Sequence, residues 1–275
     1  MKRLRTSVFL LIAFAIACVQ AIAADKIYAP MPDVPQGVND LGKVIATEQA
    51  AVVTPGGTEF IPNFSDKDKE KFIKSGKLDK ILERVTASKT FSDGVSLIQS
   101  LPLKTRNLVW EKYLTAVYPT WATNGHMGND GTTDAGYAIE ILIATALTDT
   151  IKAFVAVADF RFQIRLAQIE VVIPGGTEAA PNFTEANKIA FENSDKLKKI
   201  VEKFTSAESF AGNVLAFKSL TEKSQAAAIE NFSIPVWKTW EMIGKISNIG
   251  TTGAGYEVEK AIIEAMVKAI KTALK

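Results

Sequence analysis

Apolar side chains recur every three or four residues along much of the chain, which is the spacing of one face of an α-helix. Strand-like alternation of apolar and polar residues is nearly absent. One such series is Phe72, Leu78, Ile81, Leu82 and Val85, and a matching series is Phe191, Leu197, Ile200, Val201 and Phe204. The pattern predicts an all-α fold.

Polar residues mark where these helices begin and end. Ser65 precedes Asp66 and Asp68, and Thr184 precedes Glu185, so each hydroxyl is placed to cap the free amides of a helix start. Pro-Gly-Gly at 55–57 and again at 174–176 predicts a helix end, because proline cannot continue a helix. Between Tyr137 and Val172 there is neither glycine nor proline, which predicts one or two long helices.

The sequence contains a long internal repeat. The phrase VVTPGGTEFIPNF at 52 returns as VVIPGGTEAAPNF at 171, and a shift of 119 positions aligns 52–156 with 171–275 without a gap. About 40 of the 105 aligned pairs are identical. This period is longer than that of solenoid repeats, so each copy comprises several elements. We predict a tandem duplication of two multi-helix units joined by a long helix or helix pair.

The first residues have the pattern of a secretory signal peptide. Lys2, Arg3 and Arg5 precede an apolar run at 8–19, and the small residues at 21–23 fit a cleavage site. The predicted organisation is a signal peptide at 1–23, a lead with a helix at 24–51, repeat units at 52–156 and 171–275, and a connecting helix at 157–170. The protein is then periplasmic or secreted, or, as an alternative, a lipoprotein anchored at Cys18.

Charge and cysteine content limit the kinds of partner and of chemistry that we expect. Removal of Lys2, Arg3 and Arg5 lowers the 32 basic residues to 29, against 30 acidic residues, and the two signs are interleaved. Binding of nucleic acid needs a clustered positive surface, so it is not expected. The only cysteine leaves with the signal peptide or carries lipid, so we expect neither disulfides nor thiolate chemistry. Charged residues within 137–172 lead us to expect no transmembrane segment.

Motifs for catalysis, metals and cofactors are missing. His126 is the only histidine, and the glycine-rich phrase around Gly131 fits neither a calcium loop nor a phosphate loop. No G-x-S-x-G phrase is present. We therefore expect no metal site and no cofactor.

Two repeated polar groups are the candidate ligand-binding residues. Threonines at a predicted helix start expose amides that can hold an anion or a carbonyl oxygen, although the same threonines suit a purely structural cap. Two glutamates of the Pro-Gly-Gly phrase are further candidates, although each is a lone carboxylate. The residues are Thr132, Thr133 and Tyr137 in the first copy, Thr251, Thr252 and Tyr256 in the second, and Glu59 and Glu178.

These observations favour an exported, non-catalytic helical repeat protein with a binding or structural role in the cell envelope or extracellular space. Its partner would be a protein or an envelope or glycan ligand. One alternative is an enzyme that uses Glu59 or Glu178 as a general acid on a glycan, and another is a secreted toxin or its inhibitor.

Overall fold

The computed structural model describes residues 30–53, 64–114, 133–172, 183–222, 224–230, 232 and 252–275. All regular secondary structure in these ranges is helical, which confirms the predicted all-α fold. The signal peptide, Cys18 and His126 lie outside the described residues. Export and lipid attachment stay predictions.

The chain forms two compact units, one up to Ile151 and the other from Lys152 to Lys275. The first unit contains helices α1 (Gln36–Val53), α2 (Asp66–Lys74), α3 (Lys77–Thr86), α4 (Lys89–Ser100), α5 (Leu103–Leu114) and the beginning of α6 (Asp134–Val172). The finer boundaries at 52–156, 157–170 and 171–275 stay predictions.

The second unit begins within α6, a single helix of 39 residues. It continues with α7 (Glu185–Glu192), α8 (Lys196–Thr205), α9 (Glu208–Lys218), helical residues at 224–230, and α10 (Gly253–Leu274). Both α1 and α6 end at the valine two residues before the proline of Pro-Gly-Gly.

The predicted caps are confirmed by reciprocal hydrogen bonds at the starts of α2 and α7. The Ser65 hydroxyl accepts the amide of Asp68 (3.3 Å), whose carboxylate accepts the amide of Ser65 (3.1 Å). Thr184 and Asn187 form the same pair of bonds, at 3.3 and 2.9 Å. Each arrangement is a capping box that satisfies two otherwise free amides of a helix start.

In the first unit, α1 supplies a buried stripe that includes Val38, Leu41 and Ile45. It packs mainly against α4, and the two helices approach closely at Gly94, where an added Cβ would lie 2.8 Å from Leu41 Cδ2. The fully buried Tyr113 of α5 donates a hydrogen bond to the Val38 carbonyl (2.6 Å), which satisfies its hydroxyl within the core.

The core of the second unit is built around the buried ring of Phe160 on α6. Four other phenylalanine rings surround it with centroid distances of 5.9 to 6.2 Å, in edge-on or tilted geometry: Phe204, Phe210, Phe217 and Phe232. Aromatic side chains favour such geometry, and each ring buries a large apolar area.

A buried glutamine joins two helices in each unit. Gln49 of α1 donates its side-chain amide to the Glu140 carbonyl of α6 (2.8 Å). Gln168 of α6 donates in the same way to the Glu259 carbonyl of α10 (3.2 Å). Both bonds span 91 residues of sequence, and both glutamines are buried.

Helix α6 is long and apolar enough to cross a membrane by length and composition alone, since an 18-residue stretch of it contains no more than two charges. Of that stretch, 44% is buried inside the protein. Ile143 and Leu147 are among its fully buried residues. The predicted absence of a transmembrane segment stays a prediction.

Candidate functional site

The structure describes four of the eight residues that the sequence suggests for ligand binding: Thr133, Tyr137, Thr252 and Tyr256. The other four, Thr132, Thr251, Glu59 and Glu178, lie outside the described residues. A ligand-binding role for any of the eight stays a prediction.

Thr133 and Thr252 each connect a helix start to a distant backbone group. The Thr252 hydroxyl accepts the amide of Gly255 (3.0 Å) at the start of α10 and donates to the Phe183 carbonyl (2.6 Å). Thr133 makes the equivalent bonds to Gly136 (3.0 Å) and Phe64 (2.5 Å). Both hydroxyls are therefore engaged with the backbone, as the capping alternative requires.

The tyrosines of the same helix starts are half-buried. Tyr256 packs against the core of the second unit. Each tyrosine amide also donates to the carbonyl of the preceding threonine cap, from Tyr137 to Thr133 (2.8 Å) and from Tyr256 to Thr252 (2.9 Å). These contacts hold the first turn of each helix.

A groove of about 570 Å³ in the second unit was not anticipated from the sequence. It lies among the end of α6, Phe183 just before the α7 cap, and the facing sides of α7 and α8. Apolar side chains form much of its lining: Val171, Phe183, Ala190, Phe191 and Ile200. Ligand sites of small molecules have this size range and a mainly apolar lining.

The polar residues around this groove are mostly cationic. They are Lys196, Lys199, Lys203, Glu170 and Asn187. Lys203 lies 3.7 Å from the Glu170 carboxylate. Lys196 and Lys199 are exposed and form no ion pair with any residue that the structure describes. The groove therefore has two ammonium groups available to an anionic ligand.

Two neighbouring lysines are already matched by acids, and one of them is Lys198 of α8, which lies 3.9 Å from the Glu202 carboxylate. Lys188 of α7 forms an ion pair with Glu185 (3.1 Å), and the hydrogen bond between them raises the pKa of Lys188. Lys196 and Lys199 lie instead in the first turn of α8, which contains no acidic residue. Cations at a helix start meet the positive end of the helix dipole, so this placement does not stabilise the helix. The acid adjacent to them in sequence is Asp195, which makes no side-chain capping bond.

Basic residues also lie on α3 of the first unit. Lys77, Lys80 and Arg84 of α3 stand 119 positions before Lys196, Lys199 and Lys203, and all six side chains are exposed. Arg84 pairs with Glu48 as Lys203 pairs with Glu170. Asp79 of α3 stands where α8 has Lys198, so the surface of the second unit is the more basic.

A second groove, of about 680 Å³, lies between helical residues at 222 and 224–230 and the end of α10. Its apolar residues include Ile229, Ile263 and Val267. Three glutamates and two lysines surround them, so the charges favour neither a cation nor an anion. This groove offers no preference that would identify a ligand.

Within the described ranges, no three or more His, Cys, Asp or Glu side chains group together as metal ligands would. The expectation that the protein binds neither a metal nor a cofactor stays a prediction.

The two basic surfaces could have been found from the sequence. Comparing residues 119 positions apart shows lysine at both members of two pairs, 77 with 196 and 80 with 199, and a basic residue at both members of a third, 84 with 203. Near-neutral total charge concealed them, because it averages over the whole chain.

No known protein family, no curated protein and no solved structure matches this chain.

Proposed function

We propose that the protein is an exported, non-catalytic helical repeat protein that binds an anionic ligand of the cell envelope or extracellular space. The observation that carries this proposal is the pair of equivalent basic surfaces, Lys77 and Lys80 on α3 and Lys196 and Lys199 on α8. These four lysines are exposed and form no ion pair with described residues, so they have little structural role. Because they occupy matching positions in the two units, we infer that both pairs bind the same kind of ligand.

A tandem duplication is part of the proposal. The threonine-to-phenylalanine bonds span 69 residues in both units, and the glutamine bonds span 91 residues in both. Helix starts at Asp66, Lys77 and Lys89 recur 119 positions later at Glu185, Lys196 and Glu208. Such agreement supports descent of both units from one ancestral unit, with two copies of one binding surface.

Two equivalent surfaces suit a polymeric or multiply charged ligand. When one surface is occupied, linked charges on the same ligand are present at high effective concentration for the second surface. Each exposed charge pair alone contributes little, and salt screens it. Binding by this protein should therefore depend strongly on ligand valence and on ionic strength.

The test measures retention of the exported protein on an immobilised polyuronate, with neutral dextran as the reference matrix. We expect retention that falls as salt rises. Replacing the four lysines of the basic surfaces by alanine should weaken binding about fourfold or more, because each exposed pair contributes about 0.2–1 kcal/mol. The control variant removes the same charge from exposed lysines elsewhere, namely Lys74, Lys89, Lys218 and Lys268.

Equal weakening in both variants would show a response to net charge alone and would contradict the proposed surfaces. Release of new reducing ends from the polyuronate, lost in Glu59→Gln or Glu178→Gln, would instead establish the carboxylate-dependent enzyme. Mass spectrometry of the exported protein tests the location: a start at Ala24 supports secretion, and a diacylated Cys18 supports the lipoprotein.

A further inference from the structure

We infer that the groove among α6, α7 and α8 binds an amphiphilic anion, with the acidic head group on Lys196 and Lys199 and an aliphatic chain along the apolar lining. This inference rests on the proposed function, because it takes Lys196 and Lys199 as anion-binding groups, and it names the ligand class that the groove beside them accepts. It concerns the second unit.

The lining of the groove favours an aliphatic chain over a flat ring. Phe183 and Phe191 are its aromatic residues, and they are only 8% and 4% exposed. Their ring faces are therefore occupied by the core and cannot serve as stacking platforms for a sugar or a base. Val171, Ala190 and Ile200 contribute aliphatic groups, which take part in apolar contacts without a preferred ring orientation.

The positions of the polar groups favour one acidic head group. Lys196 and Lys199 are three residues apart on α8, so their side chains leave the same face of the helix. Ile200 follows on that face and belongs to the apolar lining. An anion between the two ammonium groups would thus have an attached chain directed along adjoining apolar surface.

The remaining charges fit the same arrangement. Glu170 is paired with Lys203, so neither group adds a full uncompensated charge to the groove. Asn187 offers a neutral side-chain amide that can donate a hydrogen bond to an oxyanion. A cationic amphiphile would meet two ammonium groups and is disfavoured by like-charge repulsion.

Carboxylates and phosphates share this head-group chemistry, and the experiment separates them. The exported protein is titrated by calorimetry with dodecanoate and with dodecyl phosphate, each below its micelle concentration. Dodecyltrimethylammonium tests the charge, and acetate tests the head group without the chain. We expect saturable binding of dodecanoate, dodecyl phosphate or both. We expect no measurable binding of dodecyltrimethylammonium or acetate.

Two variants test the two parts of the groove. Ala190 is exposed and lines the groove, so Ala190→Trp fills it without removing a core contact; Ala211→Trp adds the same ring to an exposed site on α9. We expect Ala190→Trp to weaken binding about tenfold or more, since each methylene returned to water weakens it roughly fourfold. Ala211→Trp should have no effect. Combined Lys196→Ala and Lys199→Ala should weaken binding about two- to thirtyfold.

The inference is overturned if neither anionic amphiphile binds, if the cationic one binds equally, or if Ala190→Trp has no effect. These outcomes are distinct from failure of the proposed function. If polyuronate retention still depends on the lysines, the basic surfaces stand and the groove assignment falls. If retention is also independent of the lysines, both fall.

Discussion

Replacing Thr252 by valine should destabilise the second unit, because valine has nearly the same shape and lacks the hydroxyl. Two hydrogen bonds are lost: the one accepted from the Gly255 amide (3.0 Å) and the one donated to the Phe183 carbonyl (2.6 Å). The lost cap costs about 1 kcal/mol. The carbonyl left without its donor costs about another 1 kcal/mol, the low end of the range, because Thr252 is only half-buried.

The sum of about 2 kcal/mol corresponds to a fall in melting temperature of about 4–8 °C for a chain of this length. Circular dichroism of the exported protein during thermal and urea unfolding measures it. Thr252→Ser keeps the hydroxyl and should lose far less. Thr272→Val is the matched control, since the exposed Thr272 hydroxyl bonds only to the Lys268 carbonyl of its own helix (2.9 Å).

A loss below about 0.5 kcal/mol, the range of ordinary surface changes, would refute the capping argument. A loss equal to that of Thr272→Val would refute it as well. Unchanged stability together with weakened ligand binding would favour the ligand role that the sequence suggests for Thr252.

Three other changes test the packing and the caps. Gly94→Ala should destabilise the protein by about 1–3 kcal/mol in urea unfolding, because the added Cβ would lie 2.8 Å from Cδ2 of the fully buried Leu41 and 3.2 Å from both the Leu41 Cβ and the Gly37 carbonyl oxygen. Gly212→Ala, with nothing within 4 Å of the added Cβ, should be neutral or stabilising. Hydrogen bonds from Ser65 lower the pKa of Asp68 below its ordinary 3.8. The contribution of Asp68 to stability is therefore present above about pH 4 and is lost as pH falls through the lowered pKa. Asp68→Asn should remove that part of the acid dependence, measured by unfolding between about pH 2 and 5. Phe160→Ala should cost about 3–5 kcal/mol of unfolding free energy, and a loss under about 1 kcal/mol would show that its four ring contacts do not hold the core.

The features that the sequence predicted well are those that depend on nearby residues. The sequence predicts a hydroxyl cap at Ser65 and at Thr184, and each hydroxyl does cap its helix, as part of a capping box. The absence of glycine and proline between Tyr137 and Val172 allowed one continuous helix, and α6 is one. Each of these signals is contained in one continuous stretch of the chain and needs no distant partner.

The features that the sequence did not predict depend on residues far apart. The groove combines Glu170 with side chains as distant as Lys203, and periodicity does not reveal which helix faces which. The acceptor of the Thr252 hydroxyl is a carbonyl 69 residues away, so sequence alone could not separate a cap from a ligand site. Comparing the two copies for matched charge would have located the basic surfaces.

The buried glutamines have a consequence for how the helices slide along one another. An interface of aliphatic side chains tolerates a small axial shift, since apolar contacts have no preferred direction. The Gln49 amide donates to the carbonyl of Glu140, and the Gln168 amide donates to that of Glu259. A helix presents a carbonyl on a given face about once per turn, so a shift of about half a turn would leave a buried amide without an acceptor, at a cost of about 1–3 kcal/mol. Each glutamine therefore opposes sliding of its two helices within one turn, a movement that apolar contacts alone would resist less.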